Sequence, residues 1–275
     1  MKQRIGLAYS GSVASSAAVR WLLERHAAEV VTVTLDLGQS EPLDEVRKRA
    51  LLCGAARAHV IDVRETFARA HVLAALRAGR AASAAALGAL AHPAIADTLV
   101  EVADIEGADA VAHASRTPAL DERIAALAPA LAVVAPAHEW RMDARALLAY
   151  APARGPVGSG VRESHMLIRR AVDPARAPET AAHLEIAFEA GAPVAINGVP
   201  MALQELLESL SLIAGQHGIG HGDEVCAPAA VVLRAAYGAL EGADGVARVS
   251  LHQGTYAVST PPSAVPSTGE LVNHP

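Results

Sequence analysis

The sequence predicts an α/β protein, in which a doubly wound parallel sheet is followed by a second, smaller α+β unit. In the first half, short apolar runs alternate with helical patterns, and in the second half strand patterns are paired around glycine turns. A stretch rich in Pro and Gly separates the halves. We expect an α/β unit over 1–150, a linker over 151–163, a truncated α+β unit over 164–260 and a disordered tail over 261–275.

The first unit contains five short apolar strand patterns, at 5–8, 30–35, 58–63, 110–112 and 132–135. Helical patterns separate them, at 15–25, 43–52, 93–106 and 121–128. Apolar strands separated by helices imply parallel strands joined by right-handed crossovers and covered on both faces. In such a sheet, ligands bind at the carboxyl ends of the strands.

The second unit has two predicted hairpins with two helices between them. The first hairpin pairs 183–188 with 193–196, and the second pairs 246–251 with 255–258. The helices are predicted at 202–216 and 228–240.

Composition excludes several classes of protein. Hydrophobic residues make up 52% and charged residues 19%, without a long uncharged apolar run, and residues 2–4 are polar or charged. We therefore expect a cytoplasmic protein with no membrane segment. The net charge of −6 gives no support for nucleic-acid binding. Cys53 and Cys226 are expected to be free thiols.

Two polar clusters have simpler interpretations than a ligand site. The spacing of the first fits no zinc pattern, so we predict no metal site; its members are His217, His221, Asp223 and Cys226. The second cluster could hold an anion, but we favour a solvated basic face; its members are Arg162, Arg169 and Arg170.

A Ser/Gly turn joins the first strand to the first helix over residues 10–16. Backbone N–H groups and hydroxyls at a helix N-terminus favour an anion. The candidate binding residues are the strand end and the turn, namely Ala8, Tyr9, Ser10, Gly11, Ser12, Ser15 and Ser16. An ordinary strand-to-helix turn, with Ser15 or Ser16 as the N-cap, would explain the same residues.

This turn resembles the pyrophosphate loop of the N-type ATP pyrophosphatases, Ser-Gly-Gly-x-Asp-Ser/Thr-Ser. Further segments resemble the argininosuccinate synthase family, in its order and near its spacing: 8–11, 31–39, 107–113, 128–136, 139–140, 193–198 and 213–220. The resemblance implies an adenine nucleotide alpha hydrolase-like domain followed by a synthetase domain. It also implies that ATP, citrulline and aspartate bind, that the ureido oxygen of citrulline attacks the α-phosphate, and that the aspartate amine displaces AMP.

The chain departs from the family in the segments that carry this chemistry. Ser12 stands where the loop has its second Gly, and Ala14 where it has an acid. The glycine-rich substrate loop after His113 is replaced by a shorter stretch over 114–123, and the Tyr near the citrulline site is absent from 81–86. We therefore expect a catalytically impaired member that binds an adenine nucleotide or pyrophosphate and acts as a regulator or through a partner. The alternative is an active ATP-dependent ligase that forms argininosuccinate or a related C–N bond.

ATP is the candidate cofactor. Because Ala14 removes a carboxylate that could help to hold Mg²⁺, a role for that ion is doubtful. Asp36 follows a strand end and could approach an adenosine, although a solvent-facing cap is an equal alternative. Leu35 stands where the family has a small Ala, which would narrow an adenine pocket.

The resemblance also bears on assembly, because the family forms tetramers through a C-terminal arm. Here residues 261–275 are rich in Pro and Ser instead. The helices at 202–216 and 228–240 would then expose an apolar patch, and we expect a homodimer or a protein partner to cover it.

Overall fold

A computed structural model describes residues 2–39, 41–78, 89–151, 166–168, 170–222 and 227–260, apart from the side chain of Ala144. The predicted tail, and the predicted linker after its first residue, lie outside these ranges.

The first sheet is parallel and has the order β3-β2-β1-β4-β5. Its strands are β1 (Arg4–Ala8), β2 (Glu29–Asp36), β3 (Arg57–Asp62), β4 (Ala110–Ala112) and β5 (Ala132–Val134). Ile5 of β1 pairs with Val30 on one side and with Ala110 on the other. The predicted doubly wound parallel sheet is confirmed, and each strand lies within a residue of its predicted bounds.

Helices cover this sheet. They are α1 (Val13–His26), α2 (Leu43–Leu52), α3 (Arg64–Phe67), a π-helical turn (Ala68–Val72), α4 (Leu73–Arg77), α5 (His92–Glu106), α6 (Ala119–Leu127), α7 (Pro136–Glu139) and α8 (Ala144–Tyr150). The helical run from Arg64 to Arg77 was not predicted, nor were α7 and α8. No helix among the described residues is long and apolar enough to cross a bilayer.

The second sheet is antiparallel and has the order β10-β9-β6-β7-β8. Its strands are β6 (Ala182–Glu189), β7 (Ala192–Ile196), β8 (Val199–Pro200), β9 (Gly245–His252) and β10 (Thr255–Ser259). Helices α9 (Leu203–Gln216) and α10 (Pro228–Ala239) lie close to their predicted bounds, and a 3-10 turn covers Pro174–Arg176. Both predicted hairpins are present and belong to one sheet.

Two apolar clusters form the core. One lies within the first unit and includes Ile5, Leu22 and Val30. The other joins the two units, since it contains Leu35 and Phe67 as well as side chains from α9 and α10.

The expectation that the helices of the second unit expose an apolar patch is wrong. Leu206, Leu207 and Leu210 of α9 are fully buried, and so is Val232 of α10. The two helices pack on each other, and α9 also packs on α3 and the π-helical turn of the first unit. The apolar faces read from the sequence are real, but the second sheet, the neighbouring helix and the first unit together cover them.

Candidate functional site

The predicted binding residues lie at the carboxyl edge of the parallel sheet. The turn after β1 lies between β2 and β4, because β1 is the central strand of the order β3-β2-β1-β4-β5. After β1, the chain forms β2 on one side of that strand, and β4 is added later on the other side. This is the topological switch point, at which open α/β sheets bind their ligands.

Ser12 begins the first helix. It is the N-cap of α1, and its side-chain oxygen accepts a hydrogen bond from Ser15 N at 3.2 Å. Ser15 Oγ in turn donates to Ser12 O at 3.1 Å, and Ser10 Oγ donates to Ser12 Oγ at 3.1 Å. The expectation that Ser15 or Ser16 would be the cap is therefore wrong, because both lie inside the helix and are buried.

The backbone of this turn has unpaired donors. The N–H groups of residues 11–14 have no acceptor among the described residues. The first N–H groups of a helix have no partner within it, and together with the helix dipole they form a site that favours negative charge. The turn can therefore offer several N–H donors to a phosphate oxygen.

Arg49 of α2 lies against the turn, a contact that no pattern in the sequence predicted. Its Nη1 donates to Gly11 O at 2.8 Å and contacts Glu41 Oε1 at 3.0 Å. Gly11 has φ +74°, and a Cβ there would lie 2.6 Å from this nitrogen. Glycine is thus required both by the left-handed backbone and by the approach of the guanidinium.

Tyr9 and Ser16 stabilise the turn from its buried side. The Tyr9 hydroxyl lies 2.9 Å from Ser16 Oγ, and both side chains are buried. Burial raises the pKa of Tyr9 far above its usual value, so that the phenol is neutral. These two side chains face the core, and the backbone N–H groups of both residues donate to backbone carbonyls, so neither residue offers a donor to a ligand.

At the end of β2, Asp36 caps its own turn. Its Oδ1 accepts from Gly38 N at 2.9 Å, and its Oδ2 lies 3.4 Å from Arg64 Nε. The Leu35 side chain is buried in the core shared by the two units. The structure therefore places Asp36 at the same edge of the sheet as the Ser/Gly turn, with both carboxylate oxygens engaged.

The second unit meets the sheet at this edge. Met166 N donates to Leu37 O at 2.8 Å, and Ser211 Oγ of α9 donates to Met166 O at 3.1 Å. A Cβ on Gly38 would lie 2.8 Å from Met166 Cβ, so that only glycine permits the approach.

His113, directly after β4, is 1% exposed. Its Nε2 lies 3.2 Å from Asp121 Oδ1, yet neither ring nitrogen has a well-formed hydrogen bond among the described residues. The ring of His138 packs edge-on against it, with centroids 6.4 Å apart. Burial lowers the pKa of His113 and outweighs the opposing effect of Asp121. His113 is therefore neutral in the folded protein at neutral pH.

This burial predicts a pH dependence of stability. In the unfolded chain, His113 titrates near about 6.5, whereas the folded protein stays unprotonated to lower pH. The unfolded state then binds the extra proton, so the free energy of unfolding falls as pH falls below about 6.5. His113→Gln is expected to reduce this fall, measured by urea unfolding between about pH 7.5 and about pH 5.5. The exposed control His183→Gln should leave it unchanged, and an equal fall in all three proteins would contradict the assignment.

The described residues include no group of three or more His, Cys, Asp or Glu side chains that could hold a metal ion. Of the polar cluster considered from the sequence, Asp223 and Cys226 lie outside the described residues, as do Arg162 and Arg169 of the basic one. Cys53 is a buried free thiol.

Comparisons with known proteins match both units. Residues 4–156 match the family model described as "Arginosuccinate synthase N-terminal HUP domain", and residues 163–243 match "Arginosuccinate synthase C-terminal domain". A solved structure, a predicted subunit of tRNA methyltransferase from Methanocaldococcus jannaschii, has a TM-score of 0.39 and 13% identity over 54% of this chain and 75% of that chain. That similarity is too low to bear on function.

Similar proteins carry the same family name. The argininosuccinate synthase of Oceanobacillus iheyensis is 34% identical, over 87% of this chain and 69% of that protein. The one from Nitratidesulfovibrio vulgaris Hildenborough is 37% identical, over 81% of this chain and 65% of that protein. The chain thus spans about two thirds of the length of these relatives, and with both domain models matched in order, it belongs to the argininosuccinate synthase family.

Proposed function

We propose that this protein is a catalytically impaired member of its family, which binds pyrophosphate or the phosphates of an adenine nucleotide and acts as a regulator or through a partner. The observation that carries the proposal is the set of N–H groups over residues 11–14, at the start of α1, for which the described part of the chain provides no acceptor. These donors need no side-chain chemistry to hold an anion.

Ala14 and Arg49 favour binding that does not need a metal ion. Ala14 is half-buried and packs against the core of the first unit, so the turn has no carboxylate at this position. Arg49 instead brings a guanidinium to Gly11, and its side chain is 17% exposed. Glu41 Oε1, at 3.0 Å from Arg49 Nη1, offsets part of the positive charge, and the remaining donors of the forked guanidinium can bind a phosphate oxygen. Mg²⁺ is then dispensable for binding.

The proposal that catalysis is impaired rests on the segment that follows β4. Residues 113–118 connect β4 to α6, and their polar side chains bond to one another: Ser115 Oγ lies 3.1 Å from Thr117 Oγ1 and accepts from Thr117 N at 3.3 Å. His113 is buried. A ligase must hold two amino acids in line with the α-phosphate, and this short connection presents few side chains to do so. The active ligase is therefore the less favoured alternative.

Replacing Arg49 tests the binding proposal. Arg49→Gln is expected to weaken pyrophosphate binding about tenfold, the loss of one charge-assisted hydrogen bond, measured by isothermal titration calorimetry. Arg47→Gln removes the same charge from the same helix, where Arg47 Nε donates to Ala58 O, and should change affinity less than about twofold. Wild-type affinity should be nearly the same with Mg²⁺ and with a chelator. Equal affinities of the two variants, or binding only with Mg²⁺, would refute the proposal.

The partner that we favour is a second copy of this chain. β3 is an edge strand of the parallel sheet, and no described strand pairs with its outer side. Val60 of β3 is 37% exposed, and Leu52 at the end of α2 is 80% exposed. An unpaired edge beside exposed apolar side chains favours pairing with a second chain. We expect a homodimer by light scattering at micromolar concentration, and a monomer would exclude it.

A further inference from the structure

A groove lies where the two units meet, and none of its lining residues belongs to the Ser/Gly turn. Its walls come from α4, from the hairpin of β6 and β7, and from α10. The volume is about 180 Å³, and the apolar lining consists of Leu73, Leu76, Phe188, Pro193, Leu233 and Tyr237. A dry cavity of about 150 Å³ lined by similar side chains holds a benzene ring. The groove therefore has room for one six-membered ring or a branched chain of that size.

Two aromatic rings form one wall of the groove. The rings of Phe188 and Tyr237 lie with their centroids 5.5 Å apart and their planes tilted by 33°. The Phe188 side chain is buried, and that of Tyr237 is half-buried. A planar apolar group can stack against such a pair more favourably than a sugar or a hydrated phosphate can.

Polar donors converge at one end of the groove. Arg77 Nε donates to Gly191 O at 3.0 Å, and its Nη2 donates to Ala190 O, so that the guanidinium is fixed to the hairpin turn. A Cβ on Gly191 would lie 3.2 Å from Arg77 Nε and 3.0 Å from Tyr237 Oη. The missing side chain thus leaves open a point beside the Tyr237 hydroxyl and the Arg77 guanidinium.

Two of the donors at this end have no acceptor in the described part of the chain. The Tyr237 hydroxyl and the Arg234 guanidinium have no hydrogen-bond or ion-pair partner among the described residues, and both belong to the groove lining. The nearby carboxylate of Asp244 accepts from Gly191 N at 3.1 Å and is thereby engaged with the turn itself. Arg77 and Arg234 outnumber the Asp244 carboxylate here, so this end of the groove presents donors and a net positive charge next to an apolar wall.

We propose that this groove binds a small apolar monocarboxylate, an aromatic or branched-chain acid. Its apolar part lies against Phe188 and the leucines, and its carboxylate faces Tyr237, Arg77 and Arg234. A nucleotide or inorganic phosphate would leave the apolar wall unfilled, and an uncharged hydrocarbon would leave the donors without an acceptor. The site uses none of the residues of the Ser/Gly turn, so it is independent of pyrophosphate binding.

Titration with benzoate, followed by ligand-observed NMR, tests this assignment. Benzoate should bind saturably, and benzamide, of the same shape without the charge, should bind about tenfold more weakly. Arg234→Gln should weaken benzoate about tenfold, and Tyr237→Phe, which removes only a hydroxyl, should weaken it severalfold. The control Arg25→Gln makes the same charge change on α1 and should bind as the wild type does.

Three results would overturn the proposal. The first is the absence of saturable binding by the folded wild type. The second is equal affinity of the Arg234→Gln and Arg25→Gln variants for benzoate. The third is displacement of benzoate by pyrophosphate, which would place the acid at the Ser/Gly turn instead. If the protein binds benzoate but not pyrophosphate, the benzoate site in the groove stands. That result would refute only the function proposed above.

Discussion

Purified protein supplied with citrulline, aspartate and ATP is expected to release pyrophosphate at least about 10⁴-fold more slowly than a full-length relative under the same conditions. The reaction needs charge stabilisation at the departing pyrophosphate and two substrates held in line. The turn after β1 has Ala14 in place of an acid, and residues 113–118 leave β4 for α6 with His113 buried. Catalytic groups that act as a unit depend on one another, so the loss of several of them lowers the rate by orders of magnitude.

The measurement is a coupled pyrophosphate assay with and without citrulline, using the Oceanobacillus iheyensis synthase as the positive control. Ala14→Asp is the informative variant, since it restores one carboxylate without the substrate loop. It should make pyrophosphate binding depend on Mg²⁺ and leave the rate at background. Citrulline-dependent turnover of the wild type would establish the active ligase instead.

Leu210→Ala is expected to lower the free energy of unfolding by about 2–5 kcal/mol. Leu210 of α9 is fully buried in the core that also contains Phe67 of the first unit. Truncating it removes buried apolar surface and leaves a cavity that the surrounding helices can fill only in part. Because the cluster belongs to both units, the loss should lower the stability of the whole molecule.

Leu212→Ala is the matched control, because it makes the same truncation on the same helix at a side chain that is 46% exposed. It should cost less than about 1 kcal/mol. Urea unfolding followed by circular dichroism measures both variants. Similar losses in the two variants, or a Leu210→Ala transition that splits into a changed and an unchanged half, would show that the shared core does not couple the units.

Most of the sheet was predictable from sequence, because strands with apolar residues on both faces stand out from the helices between them. The helical run after β3 was not. It begins at Arg64 directly after Val63, which makes no capping hydrogen bond, and the π-helical turn at Ala68–Val72 breaks the spacing of its apolar residues. β8 has only two residues, both exposed, so no alternation could reveal it.

The candidate site was predictable only as far as it is local. The Ser/Gly turn and the helix after it follow from adjacent residues. Which serine caps that helix does not, since the buried contact between Tyr9 and Ser16 places Ser16 inside it and leaves the cap to Ser12. Arg49 reaches Gly11 across 38 positions of sequence, a contact that no local pattern encodes. The surfaces that cover α9 and α10 could not be predicted for the same reason. The apolar face of a helix shows that the helix is buried on that side, but it does not show which part of the chain packs there.

The two cores differ in when they can form during synthesis. Among the described residues, the cluster that includes Ile5, Leu22 and Val30 has no member beyond Trp140, so a nascent chain of that length already holds all of these members. The cluster around Leu35 and Phe67 also needs side chains from β9, near the other end of the described chain. Since domains fold as they leave the ribosome, the first cluster can close before the second unit is made, whereas the second cluster is complete only after β9 has been synthesised.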